Sequence, residues 1–468
     1  MLHDTNPSAA ARSGGFWAAC FALLTVVRLC HVNVLWADEA YGIAGARRIL
    51  EGAALYRDIW FDKPPLYAWI YLLWDARTGW PLRLGGALFA LLCCWLAGRT
   101  AAALFDAQAG RFAAAGMAFF LAFDHPFALI SLAPDLLLVP FALGTAWALA
   151  AKRPAWGAAC AAAGLLANGK ALLLTPLLLW QFREWKRILA AYAATAAGVW
   201  LVSSGWLEPV WQWGALYARD SAVAHPAAEG LTRTANWAGF HVALVIFAAV
   251  YFLRCREHRW PLAAWLALAV AMVSAGARFF PRYYFALLPV LVMAAAEGAC
   301  LVPRRWRAAL LLVTLSLPAV RFGSRDIGIL RGDPAAMRDL ALWADCRDAA
   351  AKIDALARPG DTLFVWGYRP ELNVLAGLPG GTPFLDSQPL TGVIADRHLT
   401  SALPTAPEIA GRNRRRLVET KPTFIADGLG PYNPALAISR YDDLRPWFAQ
   451  YDLVAETAGT RIYRRHGP

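Results

Sequence analysis

Two adjacent carboxylates, Asp38 and Glu39, follow directly on the first long apolar stretch of the chain, Phe16–Trp36. Charge at membrane depth is expensive, and where it occurs it marks a functional candidate. A carboxylate at that level can take a proton from an attacking hydroxyl; the plainer use is to end a span. About two dozen residues on comes Phe61-Asp62-Lys63-Pro64-Pro65. The Pro-Pro step enforces a stiff, extended approach to whatever follows. It holds Lys63 where it can meet a phosphate, unless Asp62 pairs with it first. A third carboxylate, Asp135, opens a later apolar segment in Ala133-Pro134-Asp135-Leu136; as a helix-start residue it could also serve as a cap. Cations recur beside these positions: Lys170 after Gly164-Leu165-Leu166-Ala167-Asn168-Gly169, Arg278, and Arg282-Tyr283 after Pro281. Lys63, Lys170, Arg278 and Arg282 together can grip one anionic lipid headgroup, arginine being favoured where phosphate is held bidentately. Singly, each could be a snorkelling anchor.

The elements that must position these residues are membrane spans. The chain has 468 residues, of which 59% are hydrophobic and 17% charged, with 22 tryptophans. Soluble domains carry about 25% charged residues and about 45–50% apolar ones. The mean hydropathy of +0.41 points the same way. Phe16–Trp36 is long enough to cross a bilayer core and lacks the small-residue cleavage site of a signal peptide. Further candidates lie near 82–100, 112–124, 133–151, 155–168, 170–182, 188–206, 236–253, 260–277, 282–300 and 307–321. A hydropathy reading therefore predicts about eleven spans. Basic loops set the orientation: Arg99 with Arg111, Lys152-Arg153, Arg183–Arg187, Arg254–Arg259 and Arg304–Arg307. All fall on the cytoplasmic side if the N-terminus is inside. Residues 37–81, 125–132, 207–235 and 277–281 then face out, and Arg278 and Arg282 are cations on the outer surface. These loops account for much of the net charge of +12, so the charge does not call for a nucleic-acid partner.

The loop 37–81 is too long for a simple connection. Ala40–Glu51 reads as an amphipathic interface helix, with Ala40, Ile43 and Leu50 on one side and Arg47, Arg48 and Glu51 on the other. Leu66–Trp74 is too short for a span and reads as a juxtamembrane helix. Beyond residue 321 the hydropathy collapses. Thr362–Trp366, Pro383–Leu385 and Thr423–Ala426 are expected as strands, Ala341–Leu356 and Pro407–Glu419 as helices, and Tyr451–Glu456 with Thr460–Arg464 as a closing hairpin. Residues 1–321 are thus expected as a transmembrane domain and 322–468 as a small α/β domain outside the membrane. Arg412 and Arg414–Arg416 are expected on a solvated helix face or at anionic headgroups. Cys346 alone falls in the tail, which therefore cannot hold an internal disulfide.

Asp38-Glu39, Lys63-Pro64-Pro65, Pro134-Asp135, the Gly-Leu-Leu-Ala stretch leading to Lys170, and Arg282-Tyr283 resemble, in order and in topology, the GT-C membrane glycosyltransferases. The branch most similar holds the protein O-mannosyltransferases and lipid A aminoarabinose transferases. The resemblance covers about residues 16–300, and the tail resembles extra-membrane domains appended to many bacterial members. One step departs from the family, which often places Lys-Gly or Lys-Gln after the Gly-Leu turn; here Asn168-Gly169 precedes Lys170. The resemblance implies a mainly α-helical polytopic protein of the bacterial inner membrane, with its active site and tail facing the periplasm. It implies inverting transfer of a hexosyl or pentosyl group from a polyprenyl-phosphate donor to a hydroxyl on a glycan, lipid or protein. In that scheme Asp38 is the general base. Glu39 and Asp135 orient the acceptor or sugar, or join Asp38 in holding a divalent ion. Lys63, Lys170, Arg278, Arg282 and Tyr283 contact the donor phosphate. Two other classes use outer-leaflet cations. A transporter or flippase for lipid-linked saccharides would place polar residues at the bilayer midplane in repeated halves, whereas these spans are mostly Ala and Leu. A non-enzymatic lipid-binding assembly protein would bind donor without turning it over.

Overall fold

The computed structural model describes residues 7–182, 185–203, 207–219, 226–394 and 406–466. Met1, Arg183 and residues 204–206, which enter the expected topology, lie outside the described residues. The chain forms two compact units. The first gathers Met1–Asn33, Thr78–Thr195 and Ala227–Asp333; the second gathers Val34–Arg77, Ala196–Pro226 and Pro334–Pro468.

The first unit is helical. Among the described residues, two helices are by themselves long and apolar enough to cross a membrane, Trp80–Leu104 and Arg304–Leu330. At 1.5 Å per residue the first reaches about 37 Å. Counting each sharply bent pair as one span raises the number to four. The other expected spans are present as shorter pieces, and proline, glycine and asparagine account for most of the breaks. The 133–151 segment is divided at Leu138 into Pro134–Leu137 and Val139–Ala150. The 155–168 segment ends as a helix at Gly164, and 170–182 begins as a 3₁₀ turn, Gly169–Leu174. The 236–253 segment turns by 91° at His241. The first helix, Pro7–Leu29, stops seven residues short of Trp36, and the last runs on through residue 321 to Leu330. Small residues let these helices approach closely. At Gly298, on Leu288–Cys300, any Cβ would run into the carbonyl of Phe247 on Val242–Arg254.

The second unit is built on a four-stranded sheet: β1 (Leu363–Trp366), β2 (Phe424–Asp427), β3 (Tyr451–Glu456) and β4 (Arg461–Arg465). The order is β1-β2-β4-β3. β1 and β2 run parallel with Leu363 opposite Phe424 and Trp366 opposite Asp427; β3 and β4 form the closing antiparallel hairpin. Every residue of β1 and β2 is buried, as in strands covered on both faces. Leu363, Val365, Phe424 and Ala426 face the helix Asp339–Leu356 through Cys346, Ala349, Ala350 and Ile353. Phe364, Trp366 and Ile425 face the opposite core, which includes Trp60, Phe384 and Leu390.

Trp60 belongs to the long first outer loop, 37–81, and packs into the sheet's core. The backbone N–H of Trp60 donates to Pro383 O at 2.8 Å, and Trp60 bridges Phe384 in parallel. The expected strand Pro383–Leu385 is thus reduced to a single bridge. The expected interface helix is Ala37–Leu50, and its burial overturns the amphipathic reading. Ala37 and the run from Glu39 to Ala46 are buried, whereas Leu50 is exposed. Arg47 and Arg48 do not face solvent: their guanidinium groups donate to the carbonyls of Val374 and Thr382. Of the basic tail run, Arg414 pairs with Asp443 at 2.8 Å and Arg416 with Glu208 at 3.2 Å. Since Trp60 fills the space between Phe364, Trp366 and Phe384, Trp60→Ala is expected to destabilise the second unit by about 3–5 kcal/mol. A thermal melt of the purified protein checks this; an unchanged melting temperature would mean that the loop is not part of the core.

Candidate functional site

The sequence-predicted residues fall into two clusters, one in each unit. In the second unit, Asp38 occupies the first turn of the helix Ala37–Leu50 and is half-buried. It follows the extended residues Val34–Trp36 rather than the end of a span. The Tyr67 hydroxyl, on the short helix Leu66–Leu72, donates to the Asp38 backbone carbonyl. The Tyr368 hydroxyl donates to Asp38 Oδ1 at 3.4 Å. Glu39 is turned the other way. It is fully buried, and its Oε1 accepts the backbone N–H of Trp36 at 2.9 Å. That is the reciprocal half of a capping box. Adjacent carboxylates therefore do different work, one capping the helix and one standing at its mouth.

Lys63 is paired with Asp62, the plain alternative left open by the sequence. Asp62 is almost fully buried and also accepts from the Tyr41 hydroxyl at 2.6 Å. The Lys63 ammonium lies 3.9 Å from the centre of the Trp213 ring and 5.9 Å from that of Tyr41. Burial, reinforced by the charges of Asp62 and Asp386, pushes the Tyr41 hydroxyl well above its ordinary pKa. Tyr41 stays protonated and remains a donor to Asp62. Its ring stacks on Phe61 at 5.1 Å and lies 6.0 Å from Tyr368. The Pro-Pro step leads directly into Leu66–Leu72, and the Lys63 carbonyl accepts from the Tyr56 hydroxyl at 2.8 Å.

In the first unit, Asp135 is the centre of a cationic group. Its Oδ1 accepts from Lys170 Nζ at 2.8 Å and from Asn168 Nδ2 at 3.1 Å. Its Oδ2 lies 4.0 Å from Arg282 Nε. Lys170 Nζ also sits 3.8 Å from the centre of the Tyr283 ring, and the Arg282 guanidinium is 5.9 Å from the same ring. Asp135, expected beside Asp38 and Glu39, is thus brought together with Lys170, Arg282 and Tyr283, three of the residues expected at the donor phosphate. Asp135 does not cap its helix; it holds cations. Lys170 and Arg282 thus both approach this one carboxylate. Arg278 is buried between two residues of positive φ, Ala277 and Phe279. Its carbonyl accepts from Arg233 Nη1 at 2.8 Å, and its guanidinium lies 5.9 Å from the Phe280 ring.

The departure at Asn168 has a structural use. Its Oδ1 accepts the backbone N–H of Lys170 at 3.0 Å, capping the 3₁₀ turn, while its Nδ2 reaches Asp135. Asn168 was legible as a turn residue, but not as a tie to Asp135. Tyr67 and Tyr368 carried no signal of their own, because Tyr368 is 330 residues from Asp38. Among the described residues, no three His, Cys, Asp or Glu side chains gather to hold a metal ion. Glu39 is engaged by Trp36 and Asp135 by Lys170.

No family model matches the sequence, and no curated protein matches it. The three-dimensional arrangement does have counterparts. The crystal structure of ArnT from Cupriavidus metallidurans bound to undecaprenyl phosphate is similar over 97% of this chain and 98% of that one, at 15% identity and a TM-score of 0.59. The same protein in its apo state gives 14% identity and a TM-score of 0.55. The Archaeoglobus fulgidus oligosaccharyltransferase, tethered to an acceptor peptide containing the NVT sequon, gives 12% identity and a TM-score of 0.50, over 96% of this chain and 74% of that one. The fold is the GT-C fold that these proteins share.

The Asp135 cluster makes a stability prediction independent of function. Asp135→Ala leaves Lys170, with a side chain only 16% exposed, without its carboxylate. A loss of about 1–3 kcal/mol is expected, read as a lower melting temperature. A wild-type melt would show that Asp135 contributes nothing to holding the cations.

Proposed function

We propose that this protein transfers a hexosyl or pentosyl group from a polyprenyl-phosphate donor to a hydroxyl acceptor, with inversion at the anomeric carbon. The observation that carries the reading is the convergence of Lys170, Arg282 and Tyr283 on Asp135, within a fold shared with a protein solved bound to undecaprenyl phosphate. In the proposed reaction the acceptor oxygen attacks C1 as the C1–O bond to phosphate breaks. The acceptor proton passes to Asp38, and the bonding pair leaves with the phosphate. A glycosidase protonates its alkoxide leaving group through a carboxylic acid. Here the leaving group is already a stable anion, so cations can take that place. Lys170 and Arg282 are assigned to this charge, with Lys63 and Arg278 as further phosphate contacts and Tyr283 steadying Lys170. Asp38 is assigned the base because its carboxylate is half-buried at a helix start, where Glu39 is used up as a cap. The acceptor is a glycan, lipid or protein hydroxyl.

The proposal includes about eleven crossings by hydropathy, a bacterial inner-membrane location, and a reaction face and tail domain on the periplasmic side. A C-terminal tag on intact spheroplasts is expected to be cut by added protease while the basic loops are protected. The reverse pattern would overturn the orientation.

The chemical step is tested by Asp38→Asn, which keeps size and hydrogen bonding but cannot accept the proton. In lipid discs supplied with undecaprenyl-phosphate-linked hexoses and pentoses and candidate acceptors, turnover is expected to fall by about 10²–10⁴-fold, with donor binding retained. Arg282→Ala or Lys170→Ala should instead remove about 2–4 kcal/mol of transition-state stabilisation. Full turnover by Asp38→Asn would refute the general-base assignment. Donor binding without turnover by the wild-type protein would favour a carrier or assembly role.

A further inference from the structure

We propose that Tyr368, from the tail, is a positioning residue for the Asp38 carboxylate, so that the tail completes the reactive group rather than merely accompanying it. This rests on the reading of Asp38 as the base. The Tyr368 hydroxyl donates to Asp38 Oδ1 at 3.4 Å. This is long for a hydrogen bond, but catalytic contacts in ligand-free structures are often long and tighten when substrate binds. Donation from the phenol to one oxygen fixes the rotamer of the carboxylate.

The placement of Tyr368 is built rather than incidental. It stands two residues beyond the C-terminal end of β1, the edge strand that pairs in parallel with β2. In open α/β sheets such carboxyl ends are where ligands are met. Gly367 turns the chain there with φ of 106°, and its N–H donates to Ser387 Oγ at 2.7 Å. A Cβ at this position would also press on Leu429 at 3.1 Å. On the other side Arg369 is fully buried. Its Nη1 reaches the carbonyl of Leu342 and Oδ2 of Asp345, both at 3.3 Å. Asp345 is itself held by Thr457 Oγ1 at 2.6 Å, Gly459 N at 2.7 Å and Thr460 Oγ1 at 2.7 Å. Tyr368 is thus clamped between a glycine turn and an ion pair locked into the closing hairpin. The side chain so clamped reaches Asp38 on the segment Val34–Arg77. The buried Arg369–Asp345 network, which the proposed reaction does not otherwise use, acquires a purpose as its brace. Among the described residues, the neighbouring titratable groups include Glu39, Tyr41, Asp62, Lys63, Tyr67 and Asp386. Asp62 and Lys63 neutralise each other, Glu39 serves Trp36, and the tyrosines are donors.

Tyr368→Phe in the full-length protein in lipid discs tests this, with the melting temperature checking that the variant folds. With undecaprenyl-phosphate-linked sugars as donor, kcat is expected to fall about 10-fold, the equivalent of one lost hydrogen bond, while donor KM stays constant. An unchanged kcat, or a fall in kcat matched by a rise in donor KM, overturns the proposal, because a tyrosine that only supports the fold would not act on the chemical step alone. If that happens while Asp38→Asn is inactive, the base assignment stands and only the role of Tyr368 falls. If Asp38→Asn retains turnover, both fall.

Discussion

The Trp60 indole lies among Phe364, Trp366 and Phe384, on one face of a sheet whose strands come from the far end of the chain. Much of the second unit depends on that contact. It makes Val34–Arg77 part of the tail's core instead of a ribbon on the membrane surface, and it is reinforced by the Trp60 N–H bond to Pro383. Burying one such side chain is worth a large share of a domain's net stability. Once Trp60 is fixed, the helix Ala37–Leu50 must pack inward. Its arginines then satisfy tail carbonyls, and Asp38 comes within reach of Tyr368.

Chemistry is distributed by burial. Of the two adjacent carboxylates, Glu39 is withdrawn from solvent and spent on the Trp36 backbone, while Asp38 is half-open. The same division recurs at Asp62 and Lys63. The buried carboxylate is satisfied by Tyr41 and by its lysine, and that lysine rests against Trp213. A buried carboxylate without such partners would carry a large desolvation penalty. Each hydrogen-bond donor around it therefore has a stabilising role as well as any chemical one.

In the helical unit, the Asp135 carboxylate organises a positive field instead of opposing it. It is held by Asn168 and Lys170 and approached by Arg282. It restrains the flexible lysine, whose remaining positive character lies over the Tyr283 ring. Restraint of this kind lowers the entropy lost when an anion is bound. The close approach at Gly298 has the same logic on a larger scale, since helices with small contact residues can be packed tightly without a hydrophobic driving force between them.

Local patterning was legible because it is written in neighbouring residues. The alternating segments Leu363–Trp366 and Phe424–Asp427, the hairpin Tyr451–Glu456 with Arg461–Arg465, and the tail helices were expected within about two residues of where they lie. Lys170, Arg282 and Tyr283 were legible as candidates from charges spaced along apolar segments, but their meeting at Asp135 was not. What was harder to read was which face a segment would bury. Ala40–Glu51 looked amphipathic, yet its arginines found carbonyl partners in the tail and its Leu50 is exposed. Apolar length suggested unbroken spans where Leu138, Gly164 and His241 interrupt the helix. The sequence by itself determined which residues could carry charge at the reactive level and which short segments would be helix or strand, because propensity and periodicity act between near neighbours. Only the tertiary structure decided that Glu39 caps while Asp38 stays open, that Asp62 takes Lys63, and that Tyr368 reaches Asp38 across 330 residues. Those outcomes depend on which polar groups burial leaves unsatisfied, and a buried group's partner is chosen by proximity in space, which spacing along the chain does not encode.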